Sequence, residues 1–234
     1  MTVASGSVLV TRPEPAASET AVRLKALGFD PVISPCIAVR IMPAKLPPPE
    51  AVQAVLVTSA NALPALPPSY EDLPLLAVGD ATAAHARAAG FHQVQSAAAD
   101  AAALAQLAAR RCDPAGLPLL LAAGEGHGEA LQAALRAAGF AVLHRTVYAT
   151  GPAASFPPAA AAALGAGLVA AALFLSAGTA RAFAGLLPQP LRPSLATVDA
   201  LAIASSTAAP LRALPWRQVR IAVHPTLEAV LALL

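Results

Sequence analysis

Short apolar runs recur along this chain, each ending in Gly, Ser, Thr, Pro or Asn, and most are followed by a stretch with helical spacing. Val8-Leu9-Val10 stops at Thr11-Arg12-Pro13. Ser18 to Leu27 then places Ala21, Leu24 and Leu27 on one face before Gly28 ends the helix. Pro31 to Val39 (PVISPCIAV) reads as the next strand, close enough behind the helix to complete a βαβ unit. Pro43 to Pro49 breaks the pattern and predicts a surface connection.

The scheme restarts at Ala51, where AVLVTSANAL predicts a buried strand running into a helix start capped by Thr58, Ser59 or Asn61. Leu75 to Val78 is the next strand, and Thr82 to Ala89 its helix, with Thr82 as N-cap and Gly90 as stop. Val94 to Ala97 is strand-like, and Asp100 caps a helix reaching Arg111. Leu119 to Ala122 is a strand, Gly124 to Gly128 a loop, Glu129 to Ala138 a helix, and Ala141 to Ala149 a strand carrying Tyr148. Beyond Pro152 to Pro158, the strand Ala171 to Leu175 runs into Ser176-Ala177-Gly178-Thr179 and a helix. The strands Ala200 to Ala204 and Val219 to Val223 follow, with helices at Thr207 to Leu214 and Thr226 to Leu234. Strands alternating with helices at this spacing imply parallel sheets covered on both faces.

The pattern contains a repeat. Thr82 to Val94 lines up without a gap on Thr207 to Val219, with Thr82/Thr207, Arg87/Arg212, Phe91/Trp216 and the Gln-Val pair coinciding. Such self-similarity decides architecture. Here it predicts two related halves, each a small doubly wound domain.

Composition alters this picture little. Hydrophobic residues make up 57% and charged residues 12%, but much of the excess is alanine. The apolar run Ala159 to Leu175, interrupted by Gly165 and Gly167, falls short of a membrane span. It reads as a helix end followed by a strand. No basic residue precedes Val8, so a cytoplasmic protein without signal or transit peptide is expected. Cys36 and Cys112 lack metal-site spacing, and a net charge of +2 without a Lys/Arg cluster argues against nucleic acid.

The candidate chemistry lies in the strand-end turns. Helix N-termini hold anions with free N–H groups and a positive dipole end, and in open parallel sheets they gather beyond the carboxyl ends of the strands. The candidate turns are Thr11-Arg12, Ser59-Ala60-Asn61, Gly79 to Thr82, Gly124 to Gly128, Ser176 to Thr179 and Ser205 to Thr207. Ser59 and Ser176 read as caps rather than nucleophiles, since neither sits in Gly-x-Ser-x-Gly. Thr82 reads as a cap and Tyr148 as a packed strand aromatic, while Arg12 is either a surface residue or an anion partner. Gly124-x-Gly126-x-Gly128 resembles a dinucleotide loop but departs from it, because the third glycine of that motif falls on Glu129, which argues against a nicotinamide or flavin site. The five histidines are scattered, without metal-ligand spacing.

Taken together, TRP at 11–13, TSANAL at 58–63, VGDATA at 78–83, the Gly124 loop, VY at 147–148, LFLSAGTARAF at 173–183 and HPTLEAVLALL at 224–234 resemble the uroporphyrinogen-III synthase family. The order and spacing of the motifs carry the resemblance. Ala123 and Ala204 depart from it, standing where many members have Arg and Gly. The resemblance implies two flavodoxin-like α/β domains joined by a two-stranded linker, the first discontinuous: residues 1–36 with 150–234, and residues 37–149.

The resemblance further implies closure of the linear tetrapyrrole hydroxymethylbilane with inversion of its last ring and loss of water, with no cofactor and no metal. In that reading Tyr148 is the general acid and Thr82 a cleft hydroxyl. Arg12, Ser59, Ala60, Asn61, Gly79, Gly124, Ser176, Thr179 and Thr207 meet the substrate. A monomer that transiently contacts the preceding pathway enzyme is expected. The alternative is a non-catalytic two-domain ligand binder or sensor of the same fold.

Overall fold

The computed structural model describes residues 6–234. In chain order its first elements are β1 (Ser7–Val10), α1 (Ala16–Ala26), β2 (Asp30–Ile33), β3 (Ile37–Ile41), β4 (Ala54–Val57), β5 (Leu75–Ala77), α2 (Asp80–Ala88) and β6 (Val94–Ser96). Next come α3 (Ala101–Arg111), β7 (Leu119–Gly124), α4 (Glu129–Ala137), β8 (Val142–Pro152), α5 (Pro158–Gly165), β9 (Val169–Phe174) and α6 (Ala177–Leu186). The chain ends with β10 (Asp199–Ala202), α7 (Ser205–Ala208), β11 (Gln218–Ile221) and α8 (Leu227–Leu231). Two compact units result, one made of the residues up to Ala38 with Gly151–Leu234, the other of Val39–Thr150. The crossings fall inside β3 and β8, which are hydrogen-bonded neighbours.

The sheet of the first unit has the order β11-β10-β9-β1-β2, with every pair parallel. Its strands alternate between two cores as the two-residue period requires. Val8, Val10, Ala171, Leu173 and Leu201 pack on the face covered by α1 and α8, whereas Leu9, Ala172, Phe174, Ala200 and Ala202 pack on that of α5, α6 and α7. The second sheet has the order β3-β8-β7-β4-β5-β6. Val55, Val57, Leu120 and Ala122 face Ala62, Leu63, Ala83 and Ala86, while Ala54, Leu56, Leu119 and Leu121 face α3 and α4.

Laid side by side, β6-β5-β4-β7-β8 of the second unit corresponds to β11-β10-β9-β1-β2 of the first. The repeat read in the sequence falls on α2 with β6 and on α7 with β11. The remaining two strands follow it in the second unit, as β7 and β8, but come from the other end of the chain in the first. The halves are thus circular permutants of one sheet.

Three sequence-based expectations are corrected. Pro31 to Val39 is not one strand: the chain breaks at Ser34-Pro35-Cys36, and β2 and β3 join different sheets. Pro35 lacks the N–H a ladder needs. The helices expected after Asn61 and over Thr207 to Leu214 are instead the 3-10 segment Ala60–Ala65 and α7 followed by the 3-10 segment Ala209–Ala213. Pro64 and Pro210 remove helical hydrogen bonds there. Thr82 is not the cap of α2, for that position is Gly79.

Cys36 is fully buried and its thiol donates to the Ser34 carbonyl at 3.5 Å. Burial pushes its pKa up to about 12, so it is not a nucleophile at neutral pH. Alkylation of the native protein followed by mass spectrometry is expected to label the partly exposed Cys112 first and Cys36 only on unfolding.

Candidate active site

Each sheet has one place where consecutive connections leave for opposite faces, and ligands in open α/β sheets bind outside such a point. In the second unit it lies between β4 and β7, whose following segments pack on opposite faces of the sheet. In the first it lies between β9 and β1, which lead to α6 and α1. The predicted residues gather at these carboxyl edges.

Ser59, Ala60, Asn61, Gly79, Thr82, Gly124 and Tyr148 lie along that edge of the second sheet. The Ser59 hydroxyl accepts from the Asn61 N–H at 3.3 Å, as the cap of a 3-10 turn. Gly79 is the N-cap of α2 in an extended conformation with no side-chain acceptor, so the first-turn N–H groups lack a side-chain cap. Asp80 and the partly exposed Thr82 belong to that turn. Tyr148 is only 5% exposed, and its ring lies against Gly124. Among the described residues its phenol makes no hydrogen bond.

Arg12, Ser176, Thr179 and Thr207 occupy the same edge of the first sheet. Ser176 caps α6: its Oγ accepts from the Thr179 N–H at 3.1 Å and lies 2.9 Å from the Thr179 hydroxyl. Thr179 and Thr207 are 3% and 2% exposed, so their side chains are internal to the first turns of α6 and α7. Arg12 is half-buried, and its guanidinium donates to the Thr20 hydroxyl at 3.3 Å. Burial lowers its pKa, partly offset by Glu19, yet an arginine stays charged. That leaves a half-buried cation at the end of β1, with the Glu19 carboxylate already acting on it.

Two contacts were not foreseen, the first of them within the predicted Thr11-Arg12 turn. Thr11 is buried and its hydroxyl donates to the Leu173 carbonyl at 2.6 Å, tying the β1 turn to β9 across the switch point. His144, read as a scattered histidine, sits beneath the Gly128 turn. Its Nδ1 lies 3.2 Å from the Gln132 side-chain oxygen, and its buried Nε2 has no partner among the described residues. Nothing in the local sequence signals either contact, since both depend on which strands become neighbours. Ala123, at the position where many members of the resembling family carry Arg, is fully buried in the core beneath α4. Ala204 is the N-cap of α7.

Among the described residues no group of three or more His, Cys, Asp or Glu is placed to hold a metal ion, and no helix is long and apolar enough to cross a membrane.

Comparison with known proteins places the whole chain. No curated protein matches the chain. Among solved structures, the chain is similar to a uroporphyrinogen-III synthetase from Helicobacter pylori at 19% identity, over 97% of each chain and with a TM-score of 0.60. A uroporphyrinogen III synthase from Thermus thermophilus is similar at 22% identity over 97% of each chain, with a TM-score of 0.43. The model of the uroporphyrinogen-III synthase HemD family matches residues 18–232, nearly the whole sequence, and the chain therefore belongs to that family.

Proposed function

We propose that this protein is a cyclising hydro-lyase that converts hydroxymethylbilane into uroporphyrinogen III, acting as a cytoplasmic monomer. The observation that carries the chemistry is the Tyr148 phenol, which stands at the carboxyl edge beside the β4/β7 switch point with no hydrogen-bond partner among the described residues. A phenol so placed protonates the hydroxyl departing from the first pyrrole. Water leaves and an electrophilic azafulvene remains. The substituted carbon of the last pyrrole attacks it to form a spiro intermediate, which fragments and recloses with that ring turned over, and the proton lost from the reclosing ring carbon returns to the tyrosinate.

Closure without inversion is the easier intrinsic route, so the protein acts mainly by holding the chain in the geometry that leads to inversion. Each unit by itself offers anion-binding groups for the substrate's carboxylates: the N–H groups at the starts of α2 and α4 in the second unit, and those of α6 with the half-buried Arg12 in the first. Thr82 and Thr179 belong to the first turns of α2 and α6, and Thr207 to that of α7.

Hydroxymethylbilane supplied to the purified protein with chelator present is expected to yield mainly the type III isomer, read by chromatography of the oxidised product. Type I isomer alone, at the spontaneous rate, would overturn the proposal.

A further inference from the structure

We infer that Gly124 is a positioning residue for Tyr148, fixing where the phenol stands by having no side chain. The two residues are cross-strand partners, but only through an irregularity. Leu119 to Ala123 pair one-to-one with Val142 to Thr146, and the next pair is Gly124 with Tyr148, so β8 carries one extra residue, Val147. Consecutive strand residues normally face opposite sides. Here Val147 and Tyr148 both join the core that holds Val57, Leu120 and Ala122, as a bulge permits. The bulge therefore turns the Tyr148 ring back over β7. There it meets Gly124: a Cβ on that residue falls 2.6 Å from Cζ, 2.7 Å from Cε2 and 2.9 Å from the phenol oxygen. The Glu125 N–H donates to the Tyr148 carbonyl at 2.8 Å and holds the turn against the same residue.

The glycine is required by this approach and not by its own backbone, because Gly124 is not among the residues with positive φ. Alanine fits the backbone and displaces only the outer end of the tyrosine ring. Restoring ordinary van der Waals distance moves the phenol by roughly 1 Å, a misplacement that costs up to about 100-fold in rate when it falls on reacting groups.

The inference rests on the reading of Tyr148 as proton donor, and the experiment separates the two. Gly124→Ala is expected to lower kcat on the order of tenfold with KM little changed. The same substitution made in Tyr148→Phe is expected to lower it no further, because the group it misplaces is already gone. The chain has two tyrosines. In protein labelled at the tyrosine ζ carbon, the Tyr148 resonance, assigned by its loss in Tyr148→Phe, is expected to move in Gly124→Ala while that of Tyr70 stays.

Equal losses of kcat in the two backgrounds, or an unmoved Tyr148 resonance, would overturn the inference even if the type III isomer forms. Failure of the parent protein to form that isomer removes the functional reading, and the resonance alone then decides the placement. If Gly124→Ala does not fold, Tyr148→Ala in the same chain removes the ring. Recovered folding supports the contact, and continued failure rejects it.

Discussion

Tyr148→Phe is expected to lower kcat about 100-fold while leaving KM and the fold nearly unchanged. A positioned general acid contributes roughly 100-fold to 10,000-fold. The low end applies because the substrate's own pyrrole nitrogen helps to expel the hydroxyl. Stability should hold for a structural reason: among the described residues the phenol has no partner to orphan, and the aromatic ring still fills its place among Val57, Ala122 and Val147. Losing kcat without KM is the mark of a contact made in the transition state alone. Steady-state kinetics on the purified variant checks this, and turnover within twofold of the parent with the type III isomer dominant would return Tyr148 to a packing role.

The central strands were the most legible part of the sequence because they are short apolar runs buried on both faces, as β4, β7 and β9 illustrate. Helix type was less legible where proline intervenes. The runs around Pro64 and Pro210 carry helical spacing, yet the lost N–H tightens them into 3-10 turns. Ser and Thr preference misplaced the start of α2, since the cap rule ranks threonine as well as glycine and does not say which of two nearby candidates the chain uses. Asp100, Ser176 and Thr226 do cap their helices, with side-chain oxygens 2.9 Å to 3.2 Å from the third-residue N–H.

The candidate site divides along the same line. That Ser59, Gly79, Gly124 and Ser176 open strand-end turns follows from local pattern. That the Tyr148 ring lies on Gly124 depends on a bulge between strands distant in sequence, and no periodicity encodes an extra residue in one strand of a pair. The circular permutation of the two sheets was hidden likewise. The matching segments cover α2 and α7 with the strands after them, whereas the equivalence of β1 with β7 appears only in the spatial strand order.

Asp199→Ala is expected to destabilise the first unit by about 2 kcal/mol at neutral pH, roughly the contribution of hydrogen bonds to a charged group. Asp199 opens β10 with 5% exposure, and its carboxylate receives Arg217 Nε at 2.7 Å, Arg217 Nη2 at 2.6 Å and Gln218 Nε2 at 2.8 Å. The arrangement fastens β11 to β10 at the edge of the sheet. Larger losses are typical when a fully buried pair is broken, but the Arg217 side chain is 56% exposed and regains water once its partner is gone. Burial alone would raise the Asp199 pKa. The hydrogen bonds from Arg217 and Gln218, with the charges of Arg217 and Arg220, outweigh it and hold the carboxyl below its usual value. A carboxyl whose folded pKa is depressed stabilises the fold in full above its unfolded pKa, about 3.9, and loses that contribution as pH falls through the folded value. Urea unfolding of parent and variant should therefore differ fully at pH 7 and converge only below about pH 4. A difference that stays constant down to pH 3 would assign the loss to packing rather than to the ionised carboxylate.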